Sequence, residues 1–173
     1  GQVLQKIAVS GGAAVTIGPV AANPLGASWA PDGNIVFAEG DGIWRVSSNG
    51  GTPERVIATK AGSTPGSPSL LPDGKTILYS LAQGSAPERW DQAEIIAQQP
   101  GGQPAVVLRG GSDATYVPTG HLLYAVGNAL YAIPFSLDGL KTTGGPVPLV
   151  TGLARANGAV TAAANYGLST GGT

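Results

Sequence analysis

Cysteine and methionine are absent from the 173-residue chain, and histidine occurs once, at His121. Without cysteine there is no disulfide framework and no thiolate metal site. A lone histidine, with no Gly-x-Ser-x-Gly elbow around any serine, leaves a Ser-His-Asp triad without a supporting motif. Charge is scarce: charged residues make up 11% of the chain, against roughly 25% in an average soluble domain. Lys+Arg 9 against Asp+Glu 10 gives a net charge of -1, which offers no basic footprint for nucleic acid or an anionic membrane. Solubility then falls to Ser, Thr, Asn and Gln, and sheet edges are lightly protected against pairing with other chains. No apolar run approaches the ~20 residues of a membrane helix, and the start shows no charged stretch followed by an apolar one. The initial Gly1, in a chain without Met, reads as an excised segment or a processed chain. No 11-residue window keeps a helical period; residues 86–97 come nearest, but they carry Pro87 and end in a β-rich run.

What is abundant is turn chemistry. Gly 28 and Pro 14 are spread along the chain at intervals, the mark of many tight turns. The segment Ser28-Trp29-Ala30-Pro31-Asp32-Gly33-Asn34-Ile35-Val36-Phe37 returns as Ser69-Leu70-Leu71-Pro72-Asp73-Gly74-Lys75-Thr76-Ile77-Leu78-Tyr79. It returns again as Thr115-Tyr116-Val117-Pro118-Thr119-Gly120-His121-Leu122-Leu123-Tyr124, and weakly from Tyr166 to Thr173. The turn prolines at 31, 72 and 118 lie 41 and 46 positions apart. Gly-Gly pairs at 11–12, 50–51, 101–102 and 144–145 keep the same rhythm, each between two apolar stretches. Pro presets φ near −65° and Gly accepts φ > 0, so Pro-x-Gly closes a tight reversal. Val, Ile, Tyr, Phe and Trp between the turns suit pleated strands. Each unit therefore reads strand, Pro-x-Gly turn, strand, Gly turn, strand, Gly-Gly turn, strand.

Four strands per ~40–50 residues is the spacing of a β-propeller blade. The pattern x-W-x-P-D-G-x-x-I-x-F, followed by a strand and Gly-Gly, resembles the TolB-like propeller repeat. Its closest flavour is the propeller on the C-terminal side of bacterial serine/threonine protein kinases. The resemblance covers nearly the whole chain; Thr119 replaces the turn aspartate in the third copy and the last copy lacks proline. It implies an all-β fold, part of a β-propeller with four-stranded antiparallel blades. About three full blades are expected (25–60, 66–110 and 112–152), with complementary half-blades at 1–20 and 159–173, in a single domain over 1–173. Related propellers are commonly extracytoplasmic, which leans the same way for this chain. Within one chain the two ends could build a fourth blade that lacks most of one strand. Two copies joined end to end would instead close a ring of roughly eight blades, and that homodimer is the favoured expectation.

Candidate sites are few. Glu88, Arg89, Trp90 and Asp91 lie in a longer inter-strand loop, 82–92, and form the most functional-looking surface, since Arg and Trp are enriched at binding hot spots. The plainer alternative is an Arg–carboxylate pair covering an exposed Trp. Asp32 and Asp73 are read as turn residues that bond nearby backbone N–H groups, Glu39 and Asp41 as a solvated hairpin tip, and His121 as a surface hairpin residue. Trp29 and Trp44 fall at strand positions that are apolar in the other copies and are read as core. No catalytic, cofactor or metal residues are expected. The leading function is a non-catalytic scaffold for protein or peptide contacts. The alternatives are a ligand-binding or hydrolytic propeller using a central channel, and a structural fragment with no function of its own.

Overall fold

In the computed structural model, which describes residues 1–156 and 160–168, every regular element but one is a β-strand. The exception is one 3-10 turn, Pro87–Trp90. Strands β1 (Gln2–Lys6) and β2 (Val15–Val20) form a two-stranded sheet. The first four-stranded sheet holds β3 (Ala27–Trp29), β4 (Asn34–Glu39), β5 (Gly42–Ser47) and β6 (Glu54–Ala58) in chain order. The second holds β7 (Ser63–Leu70), β8 (Ile77–Gln83), β9 (Glu94–Gln98) and β10 (Ala105–Arg109). The third holds β11 (Ser112–Val117), β12 (His121–Val126) and β13 (Ala129–Ser136). Its outer position is shared: β14 (Lys141–Thr142) pairs with the end of β13 and β15 (Val147–Thr151) with its start. All pairings are antiparallel, as the repeat predicts. The sheets do not close on one another.

The turns follow from their residues. Gly33, Gly74 and Gly120 take φ of 83°, 69° and 80°, and each donates its N–H to the carbonyl three residues back. In the first two turns an aspartate adds a second clasp. Asp32 accepts the N–H and the side-chain Nδ2 of Asn34 at 2.9 and 2.8 Å. Asp73 accepts the N–H groups of Lys75 and Thr76 at 2.9 and 2.8 Å. These are the local bonds expected of both residues.

The core lies between sheets rather than within one. Val36, Ala38, Ile43 and Ile57 of the first sheet pack on Ile77, Tyr79 and Ile96 of the second. Leu78, Ile95 and Ala97, on the second sheet's other face, pack on Ala114, Leu122, Tyr124 and Ile133 of the third. A sheet buried on both faces needs apolar residues at successive positions, which explains the unbroken run Ile95-Ile96-Ala97. Ile17 of β2 completes the series against Ile35, Phe37 and Val46. Each such fully buried aliphatic side chain stabilises the fold by about 1.5–3 kcal/mol.

The strands β3, β7 and β11, first in their sheets, run beside one another. Gly26, Ser67 and Asp113, each five residues before its turn proline, all have left-handed backbones, with φ of 108°, 45° and 57°. At Gly26 a Cβ would lie 2.8 Å from the Ser67 Cα, so only glycine lets these two backbones approach. Ser67 and Asp113 hold the same conformation at a cost, an exception shared by few non-glycine residues.

Two expectations are corrected. Trp29 is 57% exposed rather than core, because an open cleft lined by Leu4 and Ile17 separates it from the β1–β2 sheet, with Lys6 Nζ 6.0 Å from its ring. The half-blade expected at 159–173 shows no strand over 160–168, where Ala164 makes one bridge to Arg155; residues 159 and 169–173 lie outside the described residues.

Candidate functional site

The four residues singled out from the sequence do not form one surface. The 3-10 turn carries Glu88, Arg89 and Trp90, with Asp91 as its C-cap. Trp90 is 2% exposed and packs with Ala82, Ala93 and Ala162, so it is interior and not a contact surface. Arg89 lies over its ring at 5.2 Å. Instead of pairing with a carboxylate, its guanidinium donates to the carbonyls of Ser85 and Val160, at 3.2 and 3.3 Å. Glu88 is exposed. Asp91 turns the other way, accepting the Gly127 N–H at 2.8 Å and facing the Arg155 Nη1 at 3.4 Å.

That contact leads to a convergence of polar groups. The Arg155 side chain is 19% exposed and reaches four segments. Its Nη1 meets Asp91 and donates to the Gly127 carbonyl at 3.0 Å. Its Nη2 donates to Ser112 Oγ at 2.7 Å and to the Ala162 carbonyl at 3.1 Å. A guanidinium suits this task, because its planar fork offers donors in several fixed directions. Beside it, Asp113 accepts the Ala164 N–H on its carboxylate at 2.8 Å, and its backbone carbonyl accepts the Tyr166 hydroxyl at 2.8 Å. Burial, and then the Asp113 charge, push the Tyr166 phenol up to about 12.

These bonds share a position in the repeat. Ser67 donates its N–H to the Leu25 carbonyl, Asp113 donates to Ser80 Oγ, and Ala164 donates to Asp113. Ser67 and Asp113 each sit five residues before a turn proline, and each hands its N–H to the preceding sheet. Residues 160–168 lie against β11 through the bonds of Ala164 and Tyr166 to Asp113.

The remaining predicted positions are structural. Asp41 is exposed and pairs with Arg55. Glu39 is 5% exposed and accepts the Ala22 N–H at 2.6 Å, so it is a buried anchor and not part of a solvated tip. The segment preceding β3 folds over Glu39 and removes that side chain from water, while Gly40 and Asp41 stay exposed. Trp44 is half-buried and donates its indole N–H to the Glu39 carbonyl. His121 is half-buried, with Nδ1 3.0 Å from the Thr119 carbonyl. The turn prolines Pro31, Pro72 and Pro118 line an open cleft of about 730 Å³ with Leu70, Tyr116 and Leu137, an apolar lining apart from Asp32.

Arg155, Ser112 and Tyr166 were not singled out from the sequence. One signal was available for the first: Arg155 is the single charged residue after Lys141, set in an Ala- and Gly-rich stretch. No protein-family model matches the chain, and no curated protein does.

Proposed function

We propose that the chain is part of a β-propeller, its four-stranded sheets acting as blades, and that it serves as a non-catalytic scaffold for protein or peptide contacts. Its Pro-x-Gly turn repeat resembles the TolB-like repeat of bacterial propellers. The reading includes pairing of two copies, with the end of one that carries β1 and Trp29 meeting the far side of the third sheet of the other. One observation carries it. Trp29, Leu70 and Tyr116 each lie two residues before a turn proline. Leu70 and Tyr116 are half-buried in the seam with the preceding sheet, whereas Trp29 stands 57% exposed above a cleft shared with Leu4 and Ile17. A large aromatic side chain more open than its two counterparts marks an interaction surface.

Light scattering coupled to gel filtration tests the pairing. At micromolar concentration the expected mass is twice the 17.1 kDa of one chain. A single-chain mass, with the N–H groups of 160–168 still protected from exchange, would refute the two-copy ring.

A further inference from the structure

We propose that the slot beside β11, now filled by residues 160–168, is a peptide-recognition groove whose ligand is a short segment of the form small-x-small-x-tyrosine that bends before its tyrosine. The inference rests on the scaffold reading and names the peptide class it would take.

The groove has two walls and a floor. One wall is β11, which presents the Asp113 carboxylate and carbonyl and the Thr115 hydroxyl. The other is the stretch around Arg155, which pairs its backbone with the occupant: Asn165 donates to the Ala154 carbonyl at 2.9 Å and Ala156 to the Ala163 carbonyl at 3.2 Å. The floor is Trp90 and Gly66. The occupant pairs its main chain with 154–156 through one bridge, bends at Asn165 where the Tyr166 N–H returns to the Ala164 carbonyl, and meets β11 through side-chain bonds. Main-chain bonds of this kind give affinity and the side chains give selectivity.

Three alternate positions read the occupant. Ala162 is wholly buried with Trp90, Ala82 and Ala93 and lies beside Gly66, so a small side chain is favoured there. Ala164 gives its N–H to Asp113. Tyr166 passes its hydroxyl to the Asp113 carbonyl at 2.8 Å and reaches Thr115 Oγ1 at 3.3 Å, while its ring joins Leu153 against Val117, Leu123 and Leu130. Between and beyond these contacts the occupant faces solvent: Asn165 and Gly167 are exposed, Val160 is 60% exposed and Leu168 40%. The segment is also held by Arg89 on the Val160 carbonyl, by Arg155 on the Ala162 carbonyl and by the two main-chain bonds to 154–156. It makes one isolated bridge and no strand ladder, however, and such a segment opens at lower cost than the laddered core strands. The wall does not leave with it, since Arg155 keeps Asp91, Gly127 and Ser112 as partners.

The test supplies the occupant in trans. In the Ala162→Arg chain the resident segment no longer fits over Trp90 and Gly66, while β11 and Arg155 are unchanged. The probe is a fluorescein-labelled nonapeptide with the sequence of residues 160–168, followed by anisotropy. The Ala162→Arg chain is expected to bind it at least ~10-fold more tightly than the unaltered chain, whose groove is filled. A probe with phenylalanine in place of its tyrosine is expected to bind about fivefold more weakly, the loss of one hydrogen bond. Equal binding by the two chains, or no loss with an alanine-for-tyrosine probe, overturns the proposal. If Ala162→Arg unfolds, Tyr166→Ala, which frees the segment without added bulk, takes its place with the same expectations. A chain that runs as a monomer yet captures the probe sinks the two-copy ring and keeps the groove; a dimer that ignores the probe does the reverse.

Discussion

Gly66 shows how tightly single residues are specified. A Cβ there would meet Trp90 Cη2 at 2.8 Å and Cζ3 at 3.1 Å. Neither the indole, fixed among Ala82, Ala93 and Ala162, nor the strand can yield freely. Gly66→Ala is therefore expected to destabilise the chain by about 1–3 kcal/mol, as overpacking does, in urea unfolding. Gly167→Ala, where nothing lies within 4 Å, is expected to change stability by less than ~0.5 kcal/mol. The turn aspartates act through charge. The N–H and side-chain bonds from Asn34 hold the Asp32 carboxyl below its ordinary 3.8. Burial alone would raise Asp73, but the bonds from Thr76 and Lys75 outweigh it and hold that carboxyl low as well. A carboxyl depressed in the folded chain stabilises above its unfolded value and loses that contribution as pH falls through the folded one. Stability should thus decline from just above pH 4 downward, and Asp73→Asn should flatten that decline in acid titrations followed by circular dichroism.

Among the elements, the segment around Arg155 is tied differently from the strands. Strands β4, β8 and β12 are held by ladders on both edges and apolar packing on both faces, so no single side chain decides their place. Residues 160–168 depend on a few polar bonds. Arg155→Ala removes the strongest partner of Ser112 Oγ, which is wholly buried, and of the Ala162 carbonyl, leaving the two only their own 3.5 Å bond. Its expected cost is about 2–3 kcal/mol. Arg45→Ala, at an exposed pair with Glu54, should cost at most ~1 kcal/mol. Side-by-side urea curves decide between them. Tyr166 sets the alkaline limit of the same contact: its phenol is neutral in the folded chain up to about 12 but ionises near 10 when free, so the contact weakens as pH rises from 10 towards 12.

That difference also explains what could be read without coordinates. Pro-x-Gly and Gly-Gly turns, with alternating apolar stretches between them, announce strand order because turn conformation is encoded by the turn residues themselves. Trp90 misled because a tryptophan in a polar loop looks the same whether the loop lies open or is covered by Ala162, 72 positions away. Arg155 and Asp113 went unassigned for the same reason: their partners at Asp91, Ser112 and Ala164 are assembled by sheet stacking, and no local spacing records it.

At the scale of the whole molecule the sheets form a row with unlike ends. The far side of the third sheet is covered by Leu153 and Tyr166 over Val117, Leu123 and Leu130. The opposite end shows Trp29, Val3, Ile7 and Val15, all exposed, with Lys6 Nζ 6.0 Å from the Trp29 ring, and among the described residues β1 pairs with β2 alone. An unpaired edge flanked by apolar side chains favours association, and a net charge of -1 opposes it little. Buried tryptophans at interfaces often account for 2 kcal/mol or more, equivalent to about 30-fold in affinity. Trp29→Ser is accordingly expected to leave the unfolding midpoint of the single chain nearly unchanged while weakening self-association at least ~10-fold by sedimentation. Iodide quenching reads the same contact directly. Trp44 is half-buried and Trp90 buried, so the quenchable tryptophan emission comes mainly from Trp29 and should shrink as concentration rises. If quenching stays constant across the range in which mass doubles, the two copies meet elsewhere and the exposed ring serves another partner.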